Sequence, residues 1–284
     1  MELIDAQTHA PDIEWIPADH ASIVAETAVR MCVLAMDSVG VDRALLHVRP
    51  EFCRSAAALA PDRFRSVVLL DPTEGPLPSA IPARATDCLE ETVGELVETA
   101  GVVGIRILLG NVGDPSDKML TPEQSGPLVQ VARSLGLPVC GLALGRPVAI
   151  GAVAREHPDV TFVVDHLALM TVGLAGRADV GLLAELPAVL ELSCLPNVTV
   201  KLSGLPRLSR VAFPYSDVWP VVRQVIEAFG VERTMWGSDH THDPSHSYAD
   251  SLAVFRDSSE LTEVDKAWIF GRSLRRAFPL AWPS

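Results

Sequence analysis

The chain has few aromatic residues, no long apolar run and no excess of positive charge. Aromatic side chains make up 5% of its 284 residues, and no stretch approaches the ~20 consecutive apolar residues that a membrane-spanning helix requires. Lys and Arg total 23 against 36 Asp and Glu, which gives a formal net charge of −13. Because nucleic acids and anionic membranes attract basic surfaces, this composition argues against both as partners.

The cysteines also lack any pattern that would signal a metal or redox site. They are odd in number and widely separated, with no Cys-x-x-Cys pair, which indicates reduced thiols. The first residues, MELIDAQTH, carry acids where a secretory signal peptide would carry bases. Both observations predict a cytoplasmic protein. The cysteines are Cys32, Cys53, Cys88, Cys140 and Cys194.

Eight short apolar runs, bounded by Gly, Pro or Asp, alternate with segments of helical spacing. Several runs have consecutive β-branched residues without polar alternation, which is typical of strands buried on both faces of a parallel sheet. The repeated strand–helix order predicts an α/β protein, a single-domain (β/α)8 TIM barrel over residues 1–284, with an open doubly wound sheet as the alternative. The runs are 3–4, 44–48, 66–70, 101–109, 137–144, 160–165, 198–202 and 233–236, and the clearest helical segments are 22–40, 88–101, 122–136 and 217–230.

Polar residues follow several of these runs directly. Strand alternation predicts that Asp5, Gln7 and His9, after the first run, share one side. Asp165-His166 and Asp239-His240 follow the sixth and eighth runs. A TIM barrel collects its catalytic groups at the C-terminal ends of its strands, so we expect these residues at one mouth. Each of them, taken alone, could instead be a turn or loop residue. Pro- and Gly-rich stretches at 71–84 and 110–123 predict loops over the same mouth.

The order and spacing of these motifs resemble the amidohydrolase-related family, also called amidohydrolase family two. That family includes sugar-acid lactonases, pyrone dicarboxylate lactonase and a group of aromatic acid decarboxylases. The resemblance runs over nearly the whole chain. The segments that carry it are IDAQTH at 4–9, AMDSVGVDRALLH at 35–47, APDRFRSVVLLDP at 60–72, GIRI at 104–107, VVDHLA at 163–168, VTVKLSGL at 198–205, MWGSD at 235–239 and IFGRSLRRAF at 269–278.

The resemblance implies a barrel in which part of the usual metal site is missing. Gln7 stands where metal-dependent relatives have their first metal-ligating His, and the segment at 137–144 has no His where relatives supply another ligand. A catalytic zinc site needs three good ligands and a water. We therefore expect that no cofactor is required, with a weakly held divalent metal such as Zn²⁺ on His9, His166 and Asp239 as the alternative.

The same resemblance implies catalytic roles for three residues. Asp239 is expected to act as general base on a water, while His9 and His166 stabilise the charge that develops on a carbonyl oxygen. Arg106 is expected to bind a substrate carboxylate or the carbonyl through its fork of donors, with a salt bridge at the rim as the alternative.

Five further residues are predicted to line the substrate pocket: Gln7, His47, Lys201, Ser203 and His240. Lys201 could instead be a buried structural lysine paired with a carboxylate. His240 belongs to a His-rich run that continues through His242, and this run could equally be a solvated loop.

These expectations together predict a lactonase, a carboxylic-ester hydrolase that opens a small sugar-acid or dicarboxylate lactone with a base-activated water. A metal-dependent decarboxylase of the same superfamily and a catalytically silent barrel that binds a small molecule are the alternatives. The predicted partner is a small-molecule substrate, without nucleic acid or membrane. Because relatives often form dimers, the resemblance also allows a homodimer.

Overall fold

The computed structural model describes residues 1–10, 21–48, 50–71, 80–82, 86–111, 120–169, 183–241 and 246–282. Its centre is a sheet of parallel strands, most of them fully buried, as their uninterrupted apolar sequences require. The strands are β1 (Ile4–Thr8), β2 (Arg43–His47), β3 (Phe64–Asp71), β4 (Ala80–Pro82), β5 (Val102–Asn111), β6 (Val139–Leu144), β7 (Phe162–Val164), β8 (Val198–Ser203) and β9 (Thr234–Gly237).

Helices lie between the strands and surround the sheet. Several begin at a Ser or Thr whose side chain accepts a hydrogen bond from the first helical turn, as Thr121 and Ser247 do. No helix in the described part of the chain is long and apolar enough to cross a membrane. The helices are α1 (Ala21–Val39), α2 (Pro50–Leu59), α3 (Thr86–Ala100), α4 (Pro122–Ser134), α5 (Pro147–Glu156), α6 (Leu186–Glu191), α7 (Trp219–Phe229), α8 (Tyr248–Arg256), α9 (Glu263–Ala267) and α10 (Ser273–Ala277).

The strands follow one another around a nearly closed barrel. Their order is β1-β2-β3-β5-β6-β7-β8-β9, and β4 pairs with β3 outside this path. The Asp239 amide beyond β9 donates to the Gln7 carbonyl of β1 at 2.7 Å, which joins the last strand to the first. The predicted TIM barrel is therefore confirmed, and the open doubly wound alternative is wrong.

The eight predicted strands and four predicted helices are all present, with small shifts at their ends. One difference lies in the stretch 71–84, predicted as a loop, where Ala80–Pro82 forms the short strand β4. The remainder of that loop from 72 onward, and residues 112–119 of the loop predicted at 110–123, lie outside the described residues. The predicted cytoplasmic location stays a prediction.

The apolar core has two parts, one inside the barrel and one between the barrel and its helices. The inner part is small and includes Ile4 and Ala6 of β1 together with residues near the starts of the other strands. Phe278 and Trp282, at the end of the chain, pack into it. This apolar plug fills one end of the barrel, so polar side chains are left for the other end.

Gly237 marks a point where β9 and β1 come very close. A Cβ at this position would lie 2.7 Å from the Gln7 Cβ, 3.0 Å from the Gln7 amide nitrogen and 3.3 Å from the Ser203 Cβ. Since two of these contacts are to strand atoms rather than to flexible side-chain ends, the sheet would have to open to admit a methyl group.

We therefore expect Gly237→Ala to lower the free energy of unfolding by about 1–3 kcal/mol, measured by denaturant unfolding followed by circular dichroism. Gly126→Ala in α4 is the matched control, because a Cβ there meets no atom within 4 Å. That control should be neutral or stabilising by up to about 1 kcal/mol. Equal stability of the two variants would contradict the close approach of β1 and β9.

Candidate active site

A connected group of buried and partly buried polar side chains occupies the C-terminal ends of the strands. It brings together residues from the two ends of the chain, as the bond from the Ser238 amide to the Asp5 carboxylate shows, across 233 positions. The predicted residues in this group are Gln7, His9, His47, Arg106, His166, Lys201, Ser203, Asp239 and His240. Their predicted roles in binding and catalysis are not tested by their positions.

Asp239 lies at the centre of one half of the group. Its Oδ1 is 3.3 Å from His9 Nε2, and its Oδ2 is 3.8 Å from His166 Nε2 and 3.2 Å from Arg207 Nη2. Burial by itself would raise the pKa of this carboxyl, but His166, His9 and Arg207 together hold the pKa well below its usual range. Asp239 is therefore ionised throughout the neutral and mildly acidic range.

The backbone is strained where it presents these side chains. Asp239 has a φ of 53°, and His166, Leu167 and Ala168 form a left-handed run with φ of 52°, 56° and 53°. Left-handed backbone costs a non-glycine residue roughly 1–2 kcal/mol. Gly204 faces this run, and a Cβ on it would lie 3.2 Å from His166 Nδ1. Strain of this kind is concentrated at active sites and binding sites.

Ser203 contacts the Nδ1 side of the His166 ring. The Ser203 hydroxyl lies 2.9 Å from His166 Nδ1, and both side chains are buried. Burial is the largest influence on His166 and lowers the pKa of its imidazole, so the ring is neutral near pH 7. When the hydroxyl donates to Nδ1, the His166 proton resides on Nε2, which faces Asp239. Ser203 thus contacts His166, a partner that the sequence did not indicate.

Lys201 lies at the centre of the other half of the group. Its side chain is fully buried, and its Nζ is 3.0 Å from Asp165 Oδ1. Asp165 also accepts a 2.7 Å hydrogen bond from Arg106 Nε. Burial would raise the pKa of Asp165, but the two cations hold it below its usual value. The structure therefore fits the alternative of a buried lysine paired with a carboxylate, and the Arg106 ion pair lies inside the barrel rather than at its rim.

Asp5 does not share a side with Gln7, so the prediction from strand alternation was wrong for this residue. The β1–β2 pairing shifts register between Asp5 and Thr8. The Asp5 carboxylate accepts bonds from the Gln7 amide at 3.0 Å and from the Ser238 amide and hydroxyl at 2.8 and 2.5 Å. This local bond from Gln7 back to Asp5 bends the strand, which turns Gln7 toward the pocket and Asp5 toward β9.

His240 packs against the wall of the site. Its ring stacks on Tyr248 with centroids 3.9 Å apart, and its Nδ1 lies 2.9 Å from the Ser238 hydroxyl. Burial lowers the pKa of His240 to about 4, so the ring is neutral. A contact between His240 and substrate stays a prediction, and His242 lies outside the described residues.

Arg207 is a member of the site that sequence reasoning missed. It lies in the 3-10 turn Leu205–Leu208, which follows β8, and its guanidinium approaches Asp239. The sequence signal was a basic residue in GLPRL directly after a strand end. No residue spacing links that turn to Asp239, so only the folded barrel could pair them.

Three side chains in the described residues lie close enough together to hold a metal ion. His47, Cys140 and Asp165 each offer a ligand atom within 4.8 Å of the other two. This group differs from the predicted alternative of His9, His166 and Asp239. Burial raises the pKa of the Cys140 thiol to about 12, so the thiolate that a metal prefers is not preformed.

The fold and the site together define the class of protein: it is a (β/α)8 barrel whose mouth is lined by His, Asp, Lys and Arg side chains. Within that class the chain belongs to the amidohydrolase family, because the family model described as amidohydrolase matches residues 4–280. This match confirms the family resemblance of the sequence motifs.

Two curated relatives match part of the chain. An L-fucono-1,5-lactonase of Burkholderia ambifaria is 40% identical over 94 residues, which are 32% of this chain and 30% of the relative. A D-galactarolactone isomerase of Agrobacterium fabrum is 32% identical over 85 residues, 30% of this chain and 27% of the relative. The chain thus spans about a third of the length of the curated relatives it matches.

A solved structure matches the whole chain. An amidohydrolase from Burkholderia multivorans with bound HEPES has a TM-score of 0.74 at 20% identity, with 98% of this chain and 99% of that chain covered. A second crystal form of a Burkholderia multivorans amidohydrolase, with bound zinc, has a TM-score of 0.69 at 19% identity and the same coverage. At this identity the match shows the shared fold.

Asp5 gives a stability prediction whose sign can be worked out. Burial raises its pKa to about 6, whereas an unfolded Asp titrates near ~3.9. Between these values the folded Asp5 keeps a proton that the unfolded chain has lost, so the contribution of Asp5 to stability falls as the pH rises from about 4 to 6. We expect the stability of Asp5→Asn relative to the wild type to rise by roughly 2–3 kcal/mol between pH 4 and pH 8, measured by urea unfolding across this range. The exposed Asp62→Asn control should keep the wild-type slope.

Proposed function

We propose that this protein is a lactonase, a carboxylic-ester hydrolase that opens a small sugar-acid or dicarboxylate lactone with a base-activated water. The observation that carries the proposal is the Asp239 carboxylate. It is buried and ionised, and within the described ranges its Oδ1 accepts no well-aligned hydrogen bond. In the proposed reaction this buried oxygen takes a proton from a water that enters the mouth of the barrel together with the substrate.

The neighbours of Asp239 supply the remaining steps. As the water oxygen attacks the lactone carbonyl carbon, the water proton passes to Asp239, with His9 Nε2 only 3.3 Å away to share it. Negative charge then develops on the carbonyl oxygen, and His166 Nε2–H and the Arg207 guanidinium are the donors beside it. Cleavage of the ring ester bond leaves an alkoxide that recovers the proton, and the product is a hydroxy acid.

The charge of the site supports an acidic substrate. Among the described residues of the group, the cations Lys201, Arg106 and Arg207 face the carboxylates Asp165 and Asp239. This clustering of cations contrasts with the net charge of −13 of the whole chain. Clustered cations at the mouth attract anions. Lactones that carry a carboxylate or derive from sugar acids fit these cations.

The curated relatives support the same substrate class, since both of their names concern lactones. They also define a second candidate, a lactone isomerase, in which a hydroxyl of the substrate takes the place of water as the nucleophile. The decarboxylase alternative depends on a metal. We propose that no metal is required, because Gln7 directs an amide nitrogen at His9 and Arg207 already pairs with Asp239. A weakly held metal on His9, His166 and Asp239 is the outcome that the first experiment tests.

We further propose a small-molecule substrate as the partner, with neither nucleic acid nor membrane involved, a cytoplasmic location and a homodimer. The acidic composition supports a partner other than nucleic acid or membrane, and the widely separated cysteines support the cytoplasmic location. The dimer rests on the family resemblance.

The first test uses protein purified without added metal, analysed for bound metal by plasma mass spectrometry and assayed on sugar-acid and dicarboxylate lactones with and without chelator. We expect hydrolysis that survives chelation and that falls at least ~100-fold in Asp239→Asn, because the general base is lost. Asp62→Asn is the control and should retain full activity. A product of unchanged mass would identify the isomerase instead.

Two other outcomes would overturn the proposal. Stoichiometric zinc with turnover that is lost on chelation would show that the site uses a metal and would favour the decarboxylase. Absence of both metal and turnover would favour a silent barrel that binds small molecules.

Arg207 gives a pH prediction. Asp239 should remain ionised well below pH 4 in the wild type, since its pKa is held down by its neighbours. Removing one of these cations with Arg207→Met should raise the pKa of Asp239, so the acid limb of the kcat/KM profile should move to higher pH. The measurement is the pH profile on the best lactone. Arg210→Met, an exposed arginine on the same loop, should leave the profile unchanged.

A further inference from the structure

We propose that the Lys201 ammonium is a built-in cation that occupies the centre of the His47–Cys140–Asp165 group in place of a metal ion and thereby positions Gln7 and His47. Neither the family match nor the curated relatives assign this role. The proposal concerns Lys201 and its contacts, none of which takes part in a step of the Asp239 mechanism, so it does not depend on the lactonase activity.

Acceptors and a negative charge surround the Lys201 ammonium. An ammonium has three N–H donors and no acceptor. Three acceptors surround the Nζ atom: Gln7 Oε1 at 2.8 Å, His47 Nε2 at 2.9 Å and Asp165 Oδ1 at 3.0 Å. The Cys140 sulfur lies at 3.9 Å. Gln7 and His47 therefore accept hydrogen bonds from the fully buried ammonium, and Asp165 balances its charge as an ion pair.

The position of Nζ is incompatible with a metal ion in the same group. A zinc-type ion sits about 2.0–2.3 Å from each ligand, whereas Nζ already stands within 2.9–3.9 Å of one atom of each of the three side chains. An ion bound to all three would lie against the ammonium in a fully buried site, where like charges repel strongly. The lysine and the metal therefore exclude each other.

The same bonds determine the orientation of Gln7. Because Lys201 donates to Oε1, the Gln7 amide nitrogen must point the other way, and it lies 3.2 Å from His9 Nε2. An amide suits this position because it offers an acceptor to the lysine and a donor to the imidazole at one side-chain end. Gln7 thus takes the place of a His ligand, and Lys201 takes the place of the metal that this His would bind.

His47 is oriented by the same cation. Its Nε2 accepts from Lys201, so the proton of the neutral ring must reside on Nδ1. Nδ1 is buried and has no hydrogen-bond partner among the described residues. In the absence of a cation the ring would be free to protonate Nε2 instead, which gives the proposal a spectroscopic signature.

The first test is the addition of Co²⁺ to metal-free protein, followed by its absorption spectrum. The wild type should show no thiolate-to-cobalt charge-transfer band. Lys201→Ala should gain the band and bind about one ion per chain, since removal of the ammonium opens a site with three ligands. The double variant Lys201→Ala, Cys140→Ser should lose the band again, and Lys266→Ala, a lysine outside the barrel mouth, should behave as the wild type.

A wild-type band that Cys140→Ser removes would overturn the proposal, as would a folded Lys201→Ala without a band. A second measurement on the wild type covers the case in which Lys201→Ala does not fold. Long-range ¹H–¹⁵N spectra of ¹⁵N-histidine-labelled protein, assigned with His47→Gln, should show His47 with its proton on Nδ1. A proton on Nε2 would contradict the bond from Lys201. Neither readout needs a substrate, so failure here and failure of the lactonase assay are separate results.

Discussion

The buried ion pair between Lys201 and Asp165 is the interaction on which the rest of the site depends. A charge inside a barrel is tolerated only when it is paired and hydrogen-bonded. Asp165 meets both requirements through Lys201 and Arg106, and Lys201 meets them through Asp165, Gln7 and His47. These contacts connect β1, β2, β5, β7 and β8. Polar side chains from five places in the sequence therefore form one hydrogen-bonded unit rather than five independent strand ends.

The contacts that close the barrel also hold the residues of the site in position. The Asp239 amide donates to the Gln7 carbonyl, and Gly237 leaves room for Gln7 against β9. The bend at Asp5 that turns Gln7 inward is itself held by Ser238, which follows β9. The strained left-handed conformation of Asp239 is stabilised by these contacts, since such conformations persist only where the surroundings determine them.

The barrel and most of its mouth could be predicted because they depend on local patterns. Buried parallel strands need continuous apolar runs, and polar residues after them collect at one edge; His9, His166 and Asp239 followed from this. The bend at Asp5 could not be predicted, since a register shift leaves no trace in the alternation of polar and apolar residues. Arg207 and the partners of Lys201 depend on contacts between residues far apart in the chain, such as Lys201 with Gln7, 194 positions away. Neither spacing nor composition encodes such pairs.

With Lys201 in the proposed place of a metal ion, the two tasks of a metal fall to different side chains at the mouth. A bound metal both neutralises the surrounding carboxylates and activates a water at an open coordination position. An ammonium performs the first task but has no coordination position for a water, and the fully buried Lys201 is surrounded by Gln7, His47 and Asp165. In the proposed lactonase the activation of water is therefore assigned to another group, Asp239, whose neighbours His9, His166 and Arg207 keep it ionised.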